Sequence, residues 1–284
     1  MMAALSQLHP DTVELRECAL RYLAESDVES KVSGVRRLAL AWQAGQASLD
    51  VGAALHELPS MAGHPAKPEL VAPRDVPRRA MHTPDGRAAM VHAMAHIEFN
   101  AINLALDALW RFPGMPREYY ADWLQVADEE ALHFTLLADH LGTLGYAYGD
   151  FSAHNGLWDM AHKTRHDVLA RMALLPRTLE ARGLDVTPGM KARLVQAGDA
   201  AIAPIMDVIL CDEIGHVAIG NRWFNWLCAQ RGLEPVAAYA ELFAAFHVVP
   251  LRGPFNLEAR RAAGFSDVEI QALSAQGSEG VRTA

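Results

Sequence analysis

Two copies of the motif Glu-x-x-His stand in the sequence, at Glu130 and His133 and again at Glu213 and His216. Around each copy the apolar residues recur with the period of an α-helix, which places the Glu and its His on one apolar face. A buried ionised carboxylate is costly unless a cation compensates it. Because a carboxylate oxygen and an imidazole nitrogen at this spacing can reach the same ion, the motifs predict a buried metal site.

Two further glutamates make the pattern a repeated one. Glu98 precedes Glu130 by 32 residues, and Glu180 precedes Glu213 by 33 residues. The order Glu followed by Glu-x-x-His therefore occurs twice, which is more specific than either short motif. Asp167 remains an alternative to Glu180, since it lies one face away on the same helical stretch. We predict that the metal ligands, which would also be the catalytic residues, are Glu98, Glu130, His133, Glu180, Glu213 and His216.

Polar residues beside this set have more than one interpretation. The sequence leaves open the roles of two histidine pairs spaced four apart, His92 with His96 and His162 with His166. Carboxylates next to the motifs either orient the ligating rings or face solvent, and these are Asp128, Glu129 and Asp212. Pro176 removes a backbone hydrogen bond one turn before Glu180, which predicts a local opening of that helix.

The helices that must carry these residues follow from apolar periodicity and turn residues. Four long helices are predicted at about 86–112, 117–142, 157–182 and 189–230. No stretch shows the alternation typical of strands, so we predict an all-α fold built on a four-helix bundle. Six prolines from Leu58 to Pro84 predict an extended connector before the bundle.

The whole chain divides into four predicted segments. Residues 1–55 form an N-terminal layer of two short helices, and residues 56–85 form the connector. Residues 86–230 form the bundle that holds the metal. Residues 231–284 form a C-terminal helical cap packed on the bundle, with short helices near 236–246 and 266–275.

Composition excludes several classes of protein. With 51% hydrophobic and 21% charged residues, the chain of 284 residues is neither disordered nor collagen-like. A net charge of −9 disfavours a chain-wide electrostatic grip on nucleic acid or anionic lipid. The three cysteines encode neither a disulfide framework nor a thiolate zinc site, and no secretion signal or membrane span is apparent. We therefore expect a cytoplasmic protein that has no membrane partner.

The metal-site motifs resemble the di-iron carboxylate pattern of the ferritin-like superfamily. A closer similarity, to a bacterial ferritin-like family of unknown function, is carried by His92-Ala-Met-Ala-His-Ile-Glu98, Asp128-Glu-Glu-Ala-Leu-His133, Leu179-Glu-Ala-Arg-Gly-Leu-Asp185 and Pro254-Phe-Asn256. The resemblance covers most of the chain and implies a ferritin-like four-helix bundle with additional N- and C-terminal helices. It also implies two bridging carboxylates, Glu130 and Glu213, one His for each ion, His133 and His216, and two terminal carboxylates, Glu98 and Glu180.

Two iron ions are the cofactor that this resemblance implies, and carboxylates with imidazole also suit Mn(II) or a mixed Mn/Fe pair. Four carboxylates against two divalent ions give a nearly neutral site with positions left for O2 and water. We therefore predict an O2-dependent di-iron oxidoreductase, a monooxygenase or hydroxylase, acting on an unknown small molecule. The sequence holds no flavin or dinucleotide loop and no four-Cys cluster, so an external electron donor is needed. The alternative is a non-catalytic metal-binding or iron-handling protein.

Similarity to tRNA-modifying di-iron hydroxylases adds a modified tRNA base as a candidate substrate. Residues 163–193 hold seven basic and three acidic residues, and this local excess of positive charge fits a phosphate-binding face. The same charges also fit the solvated side of a helix, which is the favoured interpretation. The sequence does not identify the substrate, and a homodimer is a candidate assembly.

Overall fold

The structure is a computed structural model that describes residues 13–59 and 61–279. These residues are mostly helical, which confirms the all-α prediction. Two short strands, β1 (Val13–Glu14) and β2 (Ala47–Ser48), pair in parallel. The α-helices are α1 (Leu15–Ala24), α2 (Val28–Gln43), α3 (Pro84–Arg111), α4 (Arg117–Thr143), α5 (Gly156–Lys163), α6 (Val168–Leu174), α7 (Ala181–Gln196), α8 (Ile202–Arg231), α9 (Pro235–Ala245), α10 (Leu257–Ala262) and α11 (Asp267–Glu279).

The two short N-terminal helices are confirmed as α1 and α2, and each begins at a side chain that caps it. The carboxylate of Glu14 accepts a hydrogen bond from the backbone N of Glu17, and that of Asp27 accepts one from Ser30. The part of this prediction before Val13 lies outside the described residues. In the described part of residues 56–83 the longest helical piece is a 3₁₀ turn, Pro73–Asp75.

The first two long helices lie where they were predicted, as α3 and α4. The bounds predicted for the third and fourth long helices are wrong. The stretch 157–182 is not one helix, because the chain leaves α5 at Lys163 and Asp167 caps α6 by accepting a hydrogen bond from the backbone N of Leu169. Helix α6 runs directly into a π-helix and then into α7, so Gly183 ends no helix. Helix α8 begins at residue 202 rather than 189, after a turn in which Gly198 has a φ of +97°.

The two short helices predicted in the C-terminal segment are observed as α9 and α11, and α10 was not predicted. Its six residues are too few to show a helical period. Nε and Nη2 of Arg260 on α10 donate to the two carboxylate oxygens of Asp185 on α7, at 3.0 and 2.6 Å. Around this ion pair, α7, α8, α10 and α11 share a core of Ala181, Leu184, Val217, Ala259, Ala263, Phe265 and Ile270.

The chain forms two compact units. One comprises the described residues up to Pro68 together with Glu98–Thr135, and the other comprises Glu69–Ile97 together with the described residues from Leu136 onward. None of the described helices combines the length and the apolar character needed to cross a membrane. The four-segment division made from the sequence stays a prediction.

The first unit buries a lysine inside its helices. Nζ of Lys31 on α2 donates hydrogen bonds to the side-chain oxygen of Asn103 and, at 2.9 Å, to the carbonyl oxygen of Gly63. The same nitrogen lies 4.8 Å from the centroid of the Phe99 ring. Burial lowers the pKa of Lys31 to about 7, against a smaller opposing effect of Glu25.

Candidate metal centre

Three of the predicted ligands meet inside the first unit. Glu98 comes from α3, Glu130 and His133 come from α4, and all three are buried. Nδ1 of His133 lies 3.4 Å from Oε2 of Glu130 and 3.7 Å from Oε2 of Glu98. The sequence period alone had placed these residues on apolar faces, and those are the faces that the two helices bury.

The charges of these three side chains perturb one another. Burial, together with the neighbouring charge of Glu130, raises the pKa of the Glu98 carboxyl. Burial acts to lower the pKa of His133, but its contacts with Glu130 and Glu98 outweigh burial and the net shift is upward. Two carboxylates therefore face one imidazole in a buried place, and a divalent cation would neutralise the excess negative charge.

The second motif keeps the same local geometry on α8. Glu213 and His216 are both buried, and Nδ1 of His216 lies 3.9 Å from Oε1 of Glu213. Among the described residues of the first unit, Glu98, Glu130 and His133 each offer a ligand atom, and these atoms lie within 4.8 Å of one another. This buried group could hold a metal ion. Its two carboxylates and one imidazole are donors that suit Fe(II), Mn(II) or Zn(II).

The other three predicted ligands, Glu180, Glu213 and His216, belong to the second unit. His216 is fully buried beside Glu213, whereas Glu180 is only partly buried at the last residue of the π-helix. Their role as ligands stays a prediction.

The local opening predicted at Pro176 is observed as the π-helix Leu175–Glu180. A π-helix inserts an extra residue per turn, and Pro176 supplies no backbone N–H to the normal α-helical ladder. Helix α8 has a glycine where Pro176 approaches it, because a Cβ on Gly220 would lie 2.5 Å from Cβ of Pro176. Gly220 stands one turn after His216, so this contact fixes the π-helix against the part of α8 that carries the second motif.

Gly220→Ala is expected to lower the free energy of unfolding by about 1–3 kcal/mol, because the new methyl group overlaps the Pro176 ring and neither backbone can yield cheaply. Gly215→Ala is the matched control on the same helix, since a Cβ there meets no atom within 4 Å. The free energy of unfolding of Gly215→Ala should instead rise by up to about 1 kcal/mol, because Ala has a better helix propensity than Gly. Urea denaturation of the wild type and both variants measures these changes in the free energy of unfolding. Equal stability of Gly220→Ala and Gly215→Ala would contradict the close contact.

The structure shows the partners of several carboxylates whose roles the sequence left open. Asp167 caps α6 and forms an ion pair with Arg231 at 2.7 Å. Asp128 pairs with Arg36 at 3.3 Å, and Glu129 accepts a hydrogen bond from Gln125 at 3.0 Å.

The histidine pairs also have other partners. His92 accepts a hydrogen bond from the backbone N of Gly149 at 2.9 Å. Nδ1 of His96 lies 2.9 Å from the hydroxyl of Tyr148, so this pair holds the loop after α4. His162 is exposed beside Arg165.

The basic stretch 163–193 is less exposed than its composition suggested. Arg171 and Arg177 are buried, at 2% exposure each, and Lys191 forms an ion pair with Asp207. Fewer of the seven basic residues are therefore available to a phosphate backbone than the sequence count implied.

The comparisons with known proteins concern nearly the whole chain. Residues 24–271 match the model of a family described as "Protein of unknown function (DUF455)". The chain belongs to this family. An uncharacterized protein of Haemophilus influenzae is 51% identical over 218 residues, which cover 74% of this chain and 76% of the relative. No solved structure matches the chain.

The DUF455 match confirms the similarity to a family of unknown function, while no comparison identifies the ferritin-like superfamily. The matched region contains all six predicted ligands. The buried group of Glu and His thus lies within the part of the chain that defines it as a DUF455 protein.

Proposed function

We propose that this DUF455 protein is a di-iron carboxylate protein of ferritin-like fold that catalyses an O2-dependent oxidation, as a monooxygenase or hydroxylase. The observation that carries the proposal is the buried group Glu98, Glu130 and His133, whose donor atoms suit Fe(II) and, as an alternative, Mn(II). Glu180, Glu213 and His216 complete the proposed set, with two motif histidines and four carboxylates for two ions.

Bound iron would pass electrons from the donor to O2 and would offer the open coordination positions that O2 reduction needs. The protein side of the chemistry is exclusion of water and control of protons. Burial of Glu98, Glu130 and His133 keeps bulk water away from the reacting atoms. The raised pKa values of Glu98 and His133 mean that the metal-free site holds protons, which metal binding releases.

An external electron donor is part of the proposal. Inserting one oxygen atom of O2 into a C–H bond and reducing the other to water consumes two electrons and two protons beyond those of the substrate. A separate reductase or an equivalent electron carrier must provide these electrons, and we propose that the protein acts in the cytoplasm.

Anaerobic loading with Fe(II), followed by exposure to O2, tests the proposal. We expect about two iron ions per chain, O2 uptake in proportion to the bound iron and a change in the visible absorption spectrum. Less than one iron per chain would contradict the di-iron site. Iron binding without O2 uptake would instead support the alternative, a non-catalytic metal-binding or iron-handling protein.

The proposed substrate is an unknown small molecule or a modified base of tRNA. An electrophoretic shift assay with tRNA at rising salt tests the second of these, with heparin as the matched polyanion. Binding of tRNA that is no tighter than binding of heparin would exclude the tRNA substrate.

A further inference from the structure

A buried arginine outside the predicted metal ligands lies in a cage of aromatic rings. Arg177 belongs to the π-helix, and its side chain is 2% exposed. The ring centroids of Phe224, Tyr239 and Phe265 lie 4.6, 5.0 and 5.3 Å from its guanidinium carbon. Because burial removes a guanidinium from water, such a group also needs an anion and hydrogen-bond acceptors.

The anion that meets Arg177 comes from the chain itself. Glu269, in the first turn of α11, contacts Nη2 of Arg177 through its Oε1 atom. The other oxygen, Oε2, accepts hydrogen bonds from the backbone N and the hydroxyl of Ser266, both at 2.8 Å, in a capping box. Glu269 therefore offers one oxygen to the arginine. Within the described part of the chain, Nε of Arg177 has no hydrogen-bond partner.

A complete ion pair in the same unit provides the comparison. Nε and Nη2 of Arg260 both donate to the carboxylate of Asp185, and both side chains are buried. This side-on arrangement is the one in which a guanidinium and a carboxylate form two parallel hydrogen bonds. Arg177 presents the same two donors, but its partner Glu269 engages only one of them. The contact between Arg177 and Glu269 is therefore a half-formed pair.

We propose that Arg177 anchors a binding site for a small organic carboxylate, and that Glu269 occupies this site when the ligand is absent. An incoming carboxylate forms both hydrogen bonds, to Nε and to Nη2, and displaces Oε1 of Glu269, so that α11 loses this contact with the π-helix. The Phe224, Tyr239 and Phe265 rings form apolar walls for the carbon part of the ligand. The Glu269 side chain is 16% exposed, so the proposed ligand would enter from the side of α11, where Glu269 meets solvent. The proposal goes beyond the oxidation proposed above and holds with or without metal.

Calorimetric titration of the full-length protein with benzoate tests this site. Glu269→Gln removes the competing charge and keeps the capping box, because Gln serves there as well as Glu. We expect Glu269→Gln to bind benzoate about tenfold more tightly than the wild type, since the internal competitor is gone. Glu258→Gln, at an exposed glutamate of α10, is the matched control and should bind like the wild type.

Adding Arg177→Lys to Glu269→Gln should abolish the gain, because a lysine keeps the charge but cannot form two parallel hydrogen bonds. Equal affinity in the wild type and Glu269→Gln would overturn the proposal, and so would a gain that survives Arg177→Lys. If circular dichroism shows that Glu269→Gln has lost helix, the test is made on the wild type instead, by comparing hydrogen exchange of residues 267–273 with and without benzoate. Faster exchange with benzoate supports the displacement of Glu269, and unchanged exchange overturns it.

Discussion

Glu130→Gln is expected to weaken the binding of Fe(II) or Mn(II) by at least about 100-fold, since loss of a group that only orients a metal ligand already costs about 10- to 100-fold. Glu130 is fully buried with Oε2 3.4 Å from Nδ1 of His133, and an amide brings no negative charge to that place. In the metal-free protein the same change should raise the melting temperature. It removes one of the two carboxylates that face His133 without removing volume.

The two opposite effects of Glu130→Gln distinguish a ligand from a residue needed for packing. Metal content per chain is measured by mass spectrometry after anaerobic loading and dialysis, and melting temperatures are measured with and without metal. At a metal concentration 100-fold above the wild-type Kd, metal should raise the free energy of unfolding of the wild type by about 3 kcal/mol and that of the variant by about 0.4 kcal/mol or less. Glu118→Gln, at an exposed glutamate in the first turn of α4, is the control. Wild-type metal content in Glu130→Gln would contradict the proposed site.

Lys31→Met is expected to change how the stability of the protein depends on pH. The amine of Lys31 has a pKa of about 7 in the folded protein and an ordinary value of 10.5 when unfolded. Between these values the unfolded chain holds a proton that the folded chain lacks, so the free energy of unfolding rises with pH. Between about pH 7.5 and 9.5 the free energy of unfolding of the wild type should rise by about 3 kcal/mol relative to that of Lys31→Met.

Urea denaturation of the wild type and Lys31→Met across this pH range gives the measurement. The side chain of Asn103 and the carbonyl of Gly63, which accept hydrogen bonds from the amine, do not titrate. Burial and the charge of Lys31 lower the pKa of His64 below its ordinary value of 6.5, so His64 does not titrate in this range either. Lys163→Met, at an exposed lysine of α5, should instead follow the wild-type profile. Parallel profiles for the wild type and Lys31→Met would show that Lys31 is charged in the folded protein.

The sequence alone determined which side chains face the interior at the two motifs. The helical period is local, so Glu98, Glu130 and His133 were placed on apolar faces without knowledge of any partner helix, and they are buried together. The all-α class and the positions of α3 and α4 followed from the same local pattern. The effect of Pro176 was also local, because a missing N–H disturbs the helix in any surroundings.

The role of Asp167 was decided by a contact between residues distant in sequence. Asp167, a candidate ligand by spacing, forms an ion pair with Arg231, which is 64 residues away in the sequence. Lys31 lies on an apolar face of α2, but its burial depends on Asn103, 72 residues further along.

The pairing of Arg177 with Glu269 likewise depends on the docking of α11, which no local period predicts. Local patterns report the direction of a side chain relative to its own helix. The partner that a buried charge meets is set by packing between elements, because the energy of burying that charge depends on the whole surroundings.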